Sequence, residues 1–232
     1  MKEWLGKKYI LTIIDDFSRY CVAIPIRSKG DTTEYLQQAI KQLQTIIGDR
    51  DNRISTIQAD WGGEFRNTTL IEWCKREGIT LKETVPHHSE TNAIIERLNR
   101  TLQDMARTAM IAANMKGMWG DAIKWAAYTK NRIPHRLLGG LCPAEIFLSR
   151  DLADRKNLRP FGQQVMVHIY EENREDTRWG PRAQEARIIG YTETYGIYQA
   201  ITPTGKRVNT TKDPKPIHEP EAANYQPEAA NH

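Results

Sequence analysis

Short apolar runs and helical stripes alternate along the first two thirds of the chain. The runs Tyr9–Ile14 and Cys21–Ile26 are almost entirely apolar, which is typical of strands covered on both faces. Pro25 in the second run predicts an edge strand or a bulge, because proline has no amide hydrogen to donate. Two more strands are predicted at residues 54–59 and 80–85.

Helical periodicity fills the segments between these strands. Apolar residues at steps of three and four run from Leu36 to Ile47, and Gly48 ends that helix. Asp31 and Glu34 have the spacing of a capping box at its start. Since strands and helices alternate, we expect an α/β sheet with helices packed against it. Three further helices are predicted at residues 70–77, 91–113 and 119–132.

The last third of the chain has a different pattern. Short strand patterns separated by glycine, proline, asparagine and aspartate predict a small β-barrel or sandwich. The final residues are polar and rich in proline and alanine, so we expect a disordered tail. The predicted organisation is an α/β domain at 1–150, a small all-β barrel at 151–218 and a tail at 219–232. The strand patterns lie at 165–169, 186–191, 196–201 and 206–209.

Composition narrows the class of protein. The net charge of +4 and the pI near 8.9 allow a polyanionic partner without requiring one. Cys21, Cys74 and Cys142 form no C-x-x-C pair, which favours buried, reduced thiols in an intracellular protein over a zinc site. No apolar run reaches the roughly 18 residues of a membrane helix, and the first residues lack the apolar core of a signal peptide. We therefore expect a soluble protein with no membrane partner.

The candidate chemistry rests on carboxylates. Asp60 follows a predicted strand and precedes two glycines, a position where α/β proteins often place functional groups. Glu96 lies on the polar face of the long helix, and that face is either a nucleic-acid surface or an ordinary solvated one. Carboxylates gathered at a sheet edge hold Mg²⁺, and a pair of such ions promotes phosphodiester displacement. The polar face comprises Asn92, Glu96, Asn99, Arg100, Gln103 and Arg107.

Several motifs in one order resemble a known family. The segments IDDFSRY, ADWGGEF and NAIIERLNRTL, with 35 residues between Asp60 and Glu96, resemble the catalytic core of retroelement integrases, in particular those of copia-type LTR retrotransposons. The resemblance continues through WGDAIKWAAYTKNRIPHRLLGGLCPAEIF and into the β-rich segment, so it covers about residues 5–218. It implies an RNase H-like core followed by a small SH3-like barrel. It also implies a nuclear enzyme that uses two Mg²⁺ or Mn²⁺ ions to trim element DNA ends and join them to target DNA, working as a homo-oligomer.

Site residues follow from the resemblance position by position. Asp60 matches the second metal-binding acid of the family and Glu96 the third, so both are expected to be catalytic and to bind metal. Asn92 matches an asparagine that is normally followed by glycine, where this chain has Ala93, and the loss of that glycine removes backbone freedom. Nucleic-acid contacts, with DNA and possibly RNA, are expected at Asn92, Asn99, Arg100 and Arg107.

The first acid of the family has no evident match. It precedes the IDDFSR strand in the family, and Glu3, the one acid in that position here, has no matching context. Asp15 and Asp16 match acids that face away from the catalytic site, so we expect them to stabilise the following turn or to pair with Arg19. The expectation is an N-terminally shortened integrase from a Pol polyprotein. The alternatives are an inactive or domesticated nucleic-acid-binding copy, and a nuclease in which Asp15 or Asp16 replaces the first acid.

Overall fold

A computed structural model describes residues 6–48, 54–59, 67–83, 89–152, 157–174, 176, 178–192, 196–210 and 214–217. Two compact units, Met1–Phe161 and Gly162–His232, make up the chain. The first unit extends beyond residue 150, where the sequence predicted its end, because Trp125 contacts the segment that follows. Its indole Nε1 donates to the carbonyl of Arg159 at 2.9 Å, and its ring packs edge-on against Phe161.

The first unit contains four strands and five helices within the described residues. β1 and β2 form an antiparallel hairpin in which Tyr9 lies opposite Ile26, and β3 and β4 pair in parallel. The register runs without a bulge through Pro25, and β2 pairs with β1 alone among the described strands, so Pro25 lies at an edge. The elements are β1 (Tyr9–Ile14), β2 (Cys21–Ile26), α1 (Thr32–Ile47), β3 (Thr56–Ala59), α2 (Thr68–Arg76), β4 (Thr80–Glu83), α3 (Ser89–Ala112), α4 (Trp119–Lys130) and α5 (Pro143–Leu148).

The start of α1 differs from the predicted capping box. Asp31 makes no side-chain cap to α1, because a 3-10 turn at Lys29–Asp31 precedes the helix. The Asp31 carboxylate instead accepts from the amide and the hydroxyl of Ser28, at 3.1 and 3.0 Å. Glu34 accepts from Gln38 one turn later. The predicted capping box between Asp31 and Glu34 is therefore wrong, since the carboxylate of Asp31 serves the preceding turn.

Apolar side chains from the strands and from α1 and α2 form one core of the first unit. Leu11 of β1 and Ile26 of β2 are buried with the inward stripe of α1, and α2 covers the group with Leu70 and Trp73. Burial of such side chains contributes about 1.5–3 kcal/mol each relative to exposure. The core residues are Leu11, Ile26, Leu36, Ile40, Leu70, Trp73, Cys74 and Ile79.

The second unit is a five-stranded antiparallel sheet with its own core. The strand order is β8-β7-β6-β5-β9, and the register of β6 on β7 shifts between Ile188 and Gly190. Buried residues alternate with exposed ones along β5, as expected for a sheet with one covered face. The α/β class of the first unit and the all-β class of the second are confirmed. The strands are β5 (Gln164–His168), β6 (Ala183–Tyr191), β7 (Tyr198–Ile201), β8 (Arg207–Thr210) and β9 (Lys215–Pro216).

Candidate nucleic-acid and metal site

Helix α3 presents one buried stripe and one polar stripe along most of its length. Leu98, Leu102 and Ala106 are buried, and α3 packs against α4 and β1. Glu96 and Arg100 are exposed on the polar face and lie four residues apart, a spacing that places both on the same side of a helix. The polar face lies where the sequence pattern predicted it. Gln103 and Arg107, which belong to the same face, are also exposed.

The expected phosphate contacts on α3 are not equivalent. Arg107 donates to Asp104 at 2.9 Å in an ion pair whose side chains are both largely exposed. Such exposed pairs contribute little to stability, so the guanidinium of Arg107 can exchange this partner for a phosphate at small cost. Arg100 is exposed and has no ion pair with any described residue, whereas Asn99 is half-buried. Arg100 is consequently the most available cation on this face within the described part of α3.

The beginning of α3 includes Asn92 and Ala93, in agreement with the helix predicted at residues 91–113. The helix starts at Ser89, so the backbone of both Asn92 and Ala93 is helical. Glycine at the position of Ala93 would weaken a helix by up to about 1 kcal/mol relative to alanine. The replacement of that glycine therefore favours a longer and stiffer α3.

The two expected catalytic acids belong to different elements. Glu96 is an exposed residue of α3, as predicted. Asp60 directly follows β3 in the sequence and lies outside the described residues, together with the glycines after it. No cluster of three or more histidine, cysteine, aspartate or glutamate side chains occurs within the ranges that the structure describes. Of the two expected catalytic acids, Glu96 is the one that lies within the described residues, and its side chain is exposed.

Asp15 and Asp16 hold the turn between β1 and β2. The Asp15 Oδ2 atom accepts from the amide of Ser18 at 2.8 Å and from its hydroxyl at 2.6 Å. Asp16 pairs with Arg19 at 2.8 Å, and Arg19 has the left-handed φ of 61° that this tight turn requires. The structural role predicted for the two acids is confirmed.

The sequence analysis did not single out Asn131, which joins α4 to β2. Its Oδ1 atom accepts from the amide of Cys21 at 2.8 Å, and its Nδ2 atom donates to the carbonyl of Cys21 at 2.7 Å. The Asn131 backbone carbonyl also accepts from Ala144 at the start of α5. The side-chain amide of Asn131 therefore joins α4 to β2, and its backbone carbonyl joins α4 to α5. In the sequence, Asn131 is the first residue of NRIPH, which is part of a segment that resembles integrases. No other feature of the sequence indicated a role for it.

All three cysteines are buried free thiols, as predicted from their number and spacing. Burial raises the pKa of Cys21 to about 12, and a weaker opposing effect comes from Lys130. Burial also raises the pKa of Cys74. These thiols stay protonated near neutral pH, and a protonated thiol is a weak metal ligand and a weak nucleophile.

Among the helices that the structure describes, none has both the length and the apolar character needed to cross a membrane.

Comparison with protein families gives one matching description. The model for the integrase core domain matches residues 1–89, which include β1 to β4 of the first unit. This description agrees with the resemblance to integrase cores that the motifs of this unit indicate. The match ends at the start of α3, so Glu96 and the polar face of α3 lie beyond it.

Curated relatives of this chain are Pol and Gag-Pol polyproteins from transposons. The retrovirus-related Pol polyprotein from transposon TNT 1-94 of Nicotiana tabacum is 27% identical over 209 residues, which cover 90% of this chain and 15% of the relative. The Ty1-DR4 Gag-Pol polyprotein of Saccharomyces cerevisiae is 26% identical over 219 residues, covering 88% of this chain and 12% of the relative. The chain thus spans less than a sixth of the length of either relative.

Two solved structures are similar over 60% of this chain. The catalytic core domain of HTLV-2 integrase in complex with magnesium is 18% identical, with a TM-score of 0.48 and 83% of its own length covered. The catalytic core domain of BIV integrase is 23% identical, with a TM-score of 0.47 and 85% of its length covered.

Proposed function

Because this chain is related to the integrase region of retrotransposon Pol polyproteins, we propose that it binds element DNA and takes part in joining it to target DNA. The observation that supports this most directly is the exposed polar face of α3, where Glu96 and Arg100 share one side of a helix. A carboxylate beside a guanidinium suits a phosphodiester substrate, since the cation positions the backbone and the acid can hold a metal ion.

The role proposed for each side chain follows from its chemistry. Arg100 binds a backbone phosphate, and Arg107 exchanges Asp104 for a second phosphate when DNA is present. Glu96 offers oxygen ligands on the same face, and Asp60 supplies the second acid, since it directly follows the strand β3. Two bound Mg²⁺ or Mn²⁺ ions would supply activation of the attacking oxygen and stabilisation of the leaving one.

The proposed partners are element ends and chromosomal DNA, with homo-oligomers as the working form and the nucleus as the site of action. Joining two DNA ends to one target requires two reactive sites to be held together, which favours an assembly over a single copy. RNA remains a second candidate ligand, because the contacts proposed on α3 are to phosphates and phosphates are common to both polymers.

Nicking and strand-transfer assays with Mn²⁺ test the catalytic part of this proposal. We expect product from the wild type, and a loss of at least about a hundredfold in Glu96→Gln and Asp60→Asn, since each removes a charged metal ligand. Asp16→Asn is the matched control, because Asp16 pairs with Arg19 in the turn between β1 and β2. Loss of product in Asp16→Asn with retention in Asp60→Asn would instead identify a nuclease that recruits the turn acids.

A binding protein without catalysis is the second candidate, and the helical backbone of Asn92 and Ala93 favours it. A stiff segment before Glu96 restricts the rearrangement with which an active site closes on DNA. In this case no variant yields a metal-dependent product, while Arg100→Gln still weakens DNA binding about tenfold. Arg76→Gln removes an exposed arginine of α2 and is the matched charge control. Equal affinities of the two variants would contradict DNA binding by the α3 face.

A further inference from the structure

Basic side chains gather at the end of the β1–β2 hairpin that lies opposite its turn. The amide of Lys8 donates to the carbonyl of Ile26 at 3.0 Å, which holds the residues before β1 against the end of β2. A β-carbon added at Gly6 would lie 3.7 Å from the Nε atom of Arg27 and 4.0 Å from its Cδ atom. The Arg27 side chain therefore extends over the backbone of Gly6, two residues before Lys8.

Lys7 joins the same end of the hairpin and connects it to α1. Its ammonium nitrogen lies 5.4 Å from the ring centroid of Tyr35, in the first turn of that helix. This distance is within the range of a cation–π contact, which restrains the side chain of Lys7. We call Lys7, Lys8 and Arg27 together the hairpin patch.

The acids that follow the hairpin patch in the sequence have local partners of their own. Asp31 accepts from the amide and the hydroxyl of Ser28, and Glu34 accepts from a glutamine side chain one turn later in α1. The bonds from Ser28, and with them the charge of Arg27, lower the pKa of Asp31. Among the described residues, neither Lys8 nor Arg27 forms an ion pair with an acid. The patch thus retains an excess of positive charge.

The arrangement differs from a surface on which basic side chains are free to spread apart. Like charges repel at short range, yet contacts with Gly6 and Tyr35 hold Arg27 and Lys7 at one end of the hairpin. Side chains that are already restrained lose less conformational freedom when they bind a ligand. Tyr9, next to Lys8 in the sequence, is 41% exposed, and a tyrosine hydroxyl can donate to a phosphate oxygen.

We propose that the hairpin patch binds the phosphate backbone of DNA, as a contact separate from the polar face of α3. Guanidinium and ammonium groups both donate to phosphate oxygens, and such contacts do not depend on base sequence. The amino end of α1, beside which Lys7 lies, carries a partial positive charge that also favours an anion. This inference rests on the DNA binding proposed above and adds a second place at which the first unit holds DNA.

The test measures the affinity of the whole chain for a fluorescent DNA duplex by anisotropy at several salt concentrations. The neutral variant Lys8→Gln/Arg27→Gln should bind about tenfold more weakly and reduce the salt slope by about two, because two phosphate contacts are lost. Lys41→Gln/Arg76→Gln is the matched control, since it removes one exposed lysine and one exposed arginine from α1 and α2. It has the same net charge as the neutral variant, and its salt slope should equal that of the wild type.

A charge-keeping variant separates phosphate binding from an effect on folding. Lys8→Arg/Arg27→Lys should keep the salt slope and most of the affinity, because backbone contacts depend mainly on charge. Both residues are exposed, so thermal unfolding followed by circular dichroism should give nearly equal melting temperatures for all variants. If the charge-keeping variant lost as much affinity as the neutral one, a role of the patch through its charge would be overturned.

Arg100→Gln in the same assay distinguishes this inference from the function proposed for α3. If Arg100→Gln weakens binding while the neutral variant behaves like its matched control, the hairpin patch is overturned and the α3 face stands. The reverse result supports the patch and contradicts DNA binding by α3. An RNA duplex of the same sequence is the last arm, because phosphates are common to both polymers. A loss of affinity confined to RNA would overturn DNA as the ligand of the patch.

Discussion

Asn131 shows how one side chain can take the place of a neighbouring strand. Its amide donates to and accepts from the backbone of Cys21, which is the pattern that a paired strand would provide. The Cys21 thiol donates a second hydrogen bond to the Oδ1 atom, at 3.3 Å, which is the third between the two residues. Since the amide is buried, removing it leaves a backbone donor and a backbone acceptor without partners in the interior.

Replacing Asn131 with alanine should lower the free energy of unfolding by about 2–4 kcal/mol, because two buried backbone groups lose their hydrogen bonds. Urea unfolding of the whole chain, followed by tryptophan fluorescence, measures this change. Gln42→Ala removes an exposed amide from α1 and is the matched control, with an expected change within about 0.5 kcal/mol. Equal midpoints for the two variants would show that the Asn131 clamp does not stabilise the fold.

The buried thiol of Cys21 should make stability fall at alkaline pH. Burial raises the pKa of Cys21 from 9.0 to about 12, so between these values the native thiol keeps its proton while the unfolded one loses it. The unfolded state then binds fewer protons, and the free energy of unfolding decreases as pH rises, by up to about 1.4 kcal/mol per pH unit. The contribution is complete below pH 9 and disappears towards pH 12.

Urea unfolding at pH 8.5, 9.5 and 10.5 measures this effect. Lysine and tyrosine residues titrate in the same range, so the quantity to compare is the difference between the wild type and Cys21→Ala. We expect the alanine variant to be less stable at pH 8.5 and the gap to narrow as pH rises. A gap that stays constant with pH would contradict a raised pKa for the Cys21 thiol.

Residue roles were predictable where the partners are close in sequence. Asp15 and Ser18 are three residues apart, so the turn chemistry of the IDDFSRY segment indicated their contact. Asn131 and Cys21 are 110 residues apart, and no local pattern indicates such a pair. The capping box assigned to Asp31 failed for a related reason, since the sequence did not reveal the 3-10 turn that uses its carboxylate first.

At the scale of elements, the N-terminus of α2 is fixed by Asn67 in two ways. Its Oδ1 atom accepts from the amide of Leu70 at 2.7 Å, which is a standard N-cap. Its Nδ2 atom donates to the hydroxyl of Thr33 in α1, also at 2.7 Å. One side chain thus both begins α2 and ties it to α1, and both helices cover the core of the first unit.

Asn67→Ala should lower the free energy of unfolding by about 1–2 kcal/mol, since the first turn of α2 loses its cap. Asn67→Asp is the matched variant, because aspartate keeps the accepting oxygen and loses only the bond to Thr33. We expect the aspartate variant to retain at least half of the lost stability in urea unfolding. If the two variants are equally destabilised, the hydrogen bond to Thr33 contributes more to the free energy of unfolding than the cap does.

The strands β1 and β2 were predicted with their full bounds, because continuous apolar runs of six residues are distinctive of covered strands. The two-residue strand β9 was not predicted, since it exists only through its pairing with β5. Helix α5 was missed as well, because six residues are too few to show a helical period. Its start is nonetheless capped, with the Glu145 carboxylate accepting from the amide of Cys142 at 2.7 Å.

At the scale of the whole molecule, each unit has a core of its own. The second unit buries Val165 and Val167 of β5 under β6 and β7, and Tyr198 is the largest fully buried side chain in the protein as described. The change from helical to strand patterns in the last third of the chain indicated this second unit. The polar face of α3 was predictable, because Glu96 and Arg100 have a helical spacing, whereas the contact of Asn131 with Cys21 depends on tertiary structure alone.

We expect the fragment 162–232 to fold without the rest of the chain, with a stability of a few kcal/mol, because sheets of this size are only marginally stable. Circular dichroism should show cooperative thermal unfolding, and a proton–nitrogen correlation spectrum should show dispersed amides.

Tyr198→Ala empties the centre of the core and should lower the free energy of unfolding by about 3–5 kcal/mol, enough to unfold the fragment. Trp179→Ala is the matched control, since Trp179 is 84% exposed and its loss should leave the melting temperature nearly unchanged. A fragment that melts without cooperativity even as wild type would mean that the buried core of β5 to β8 is insufficient by itself.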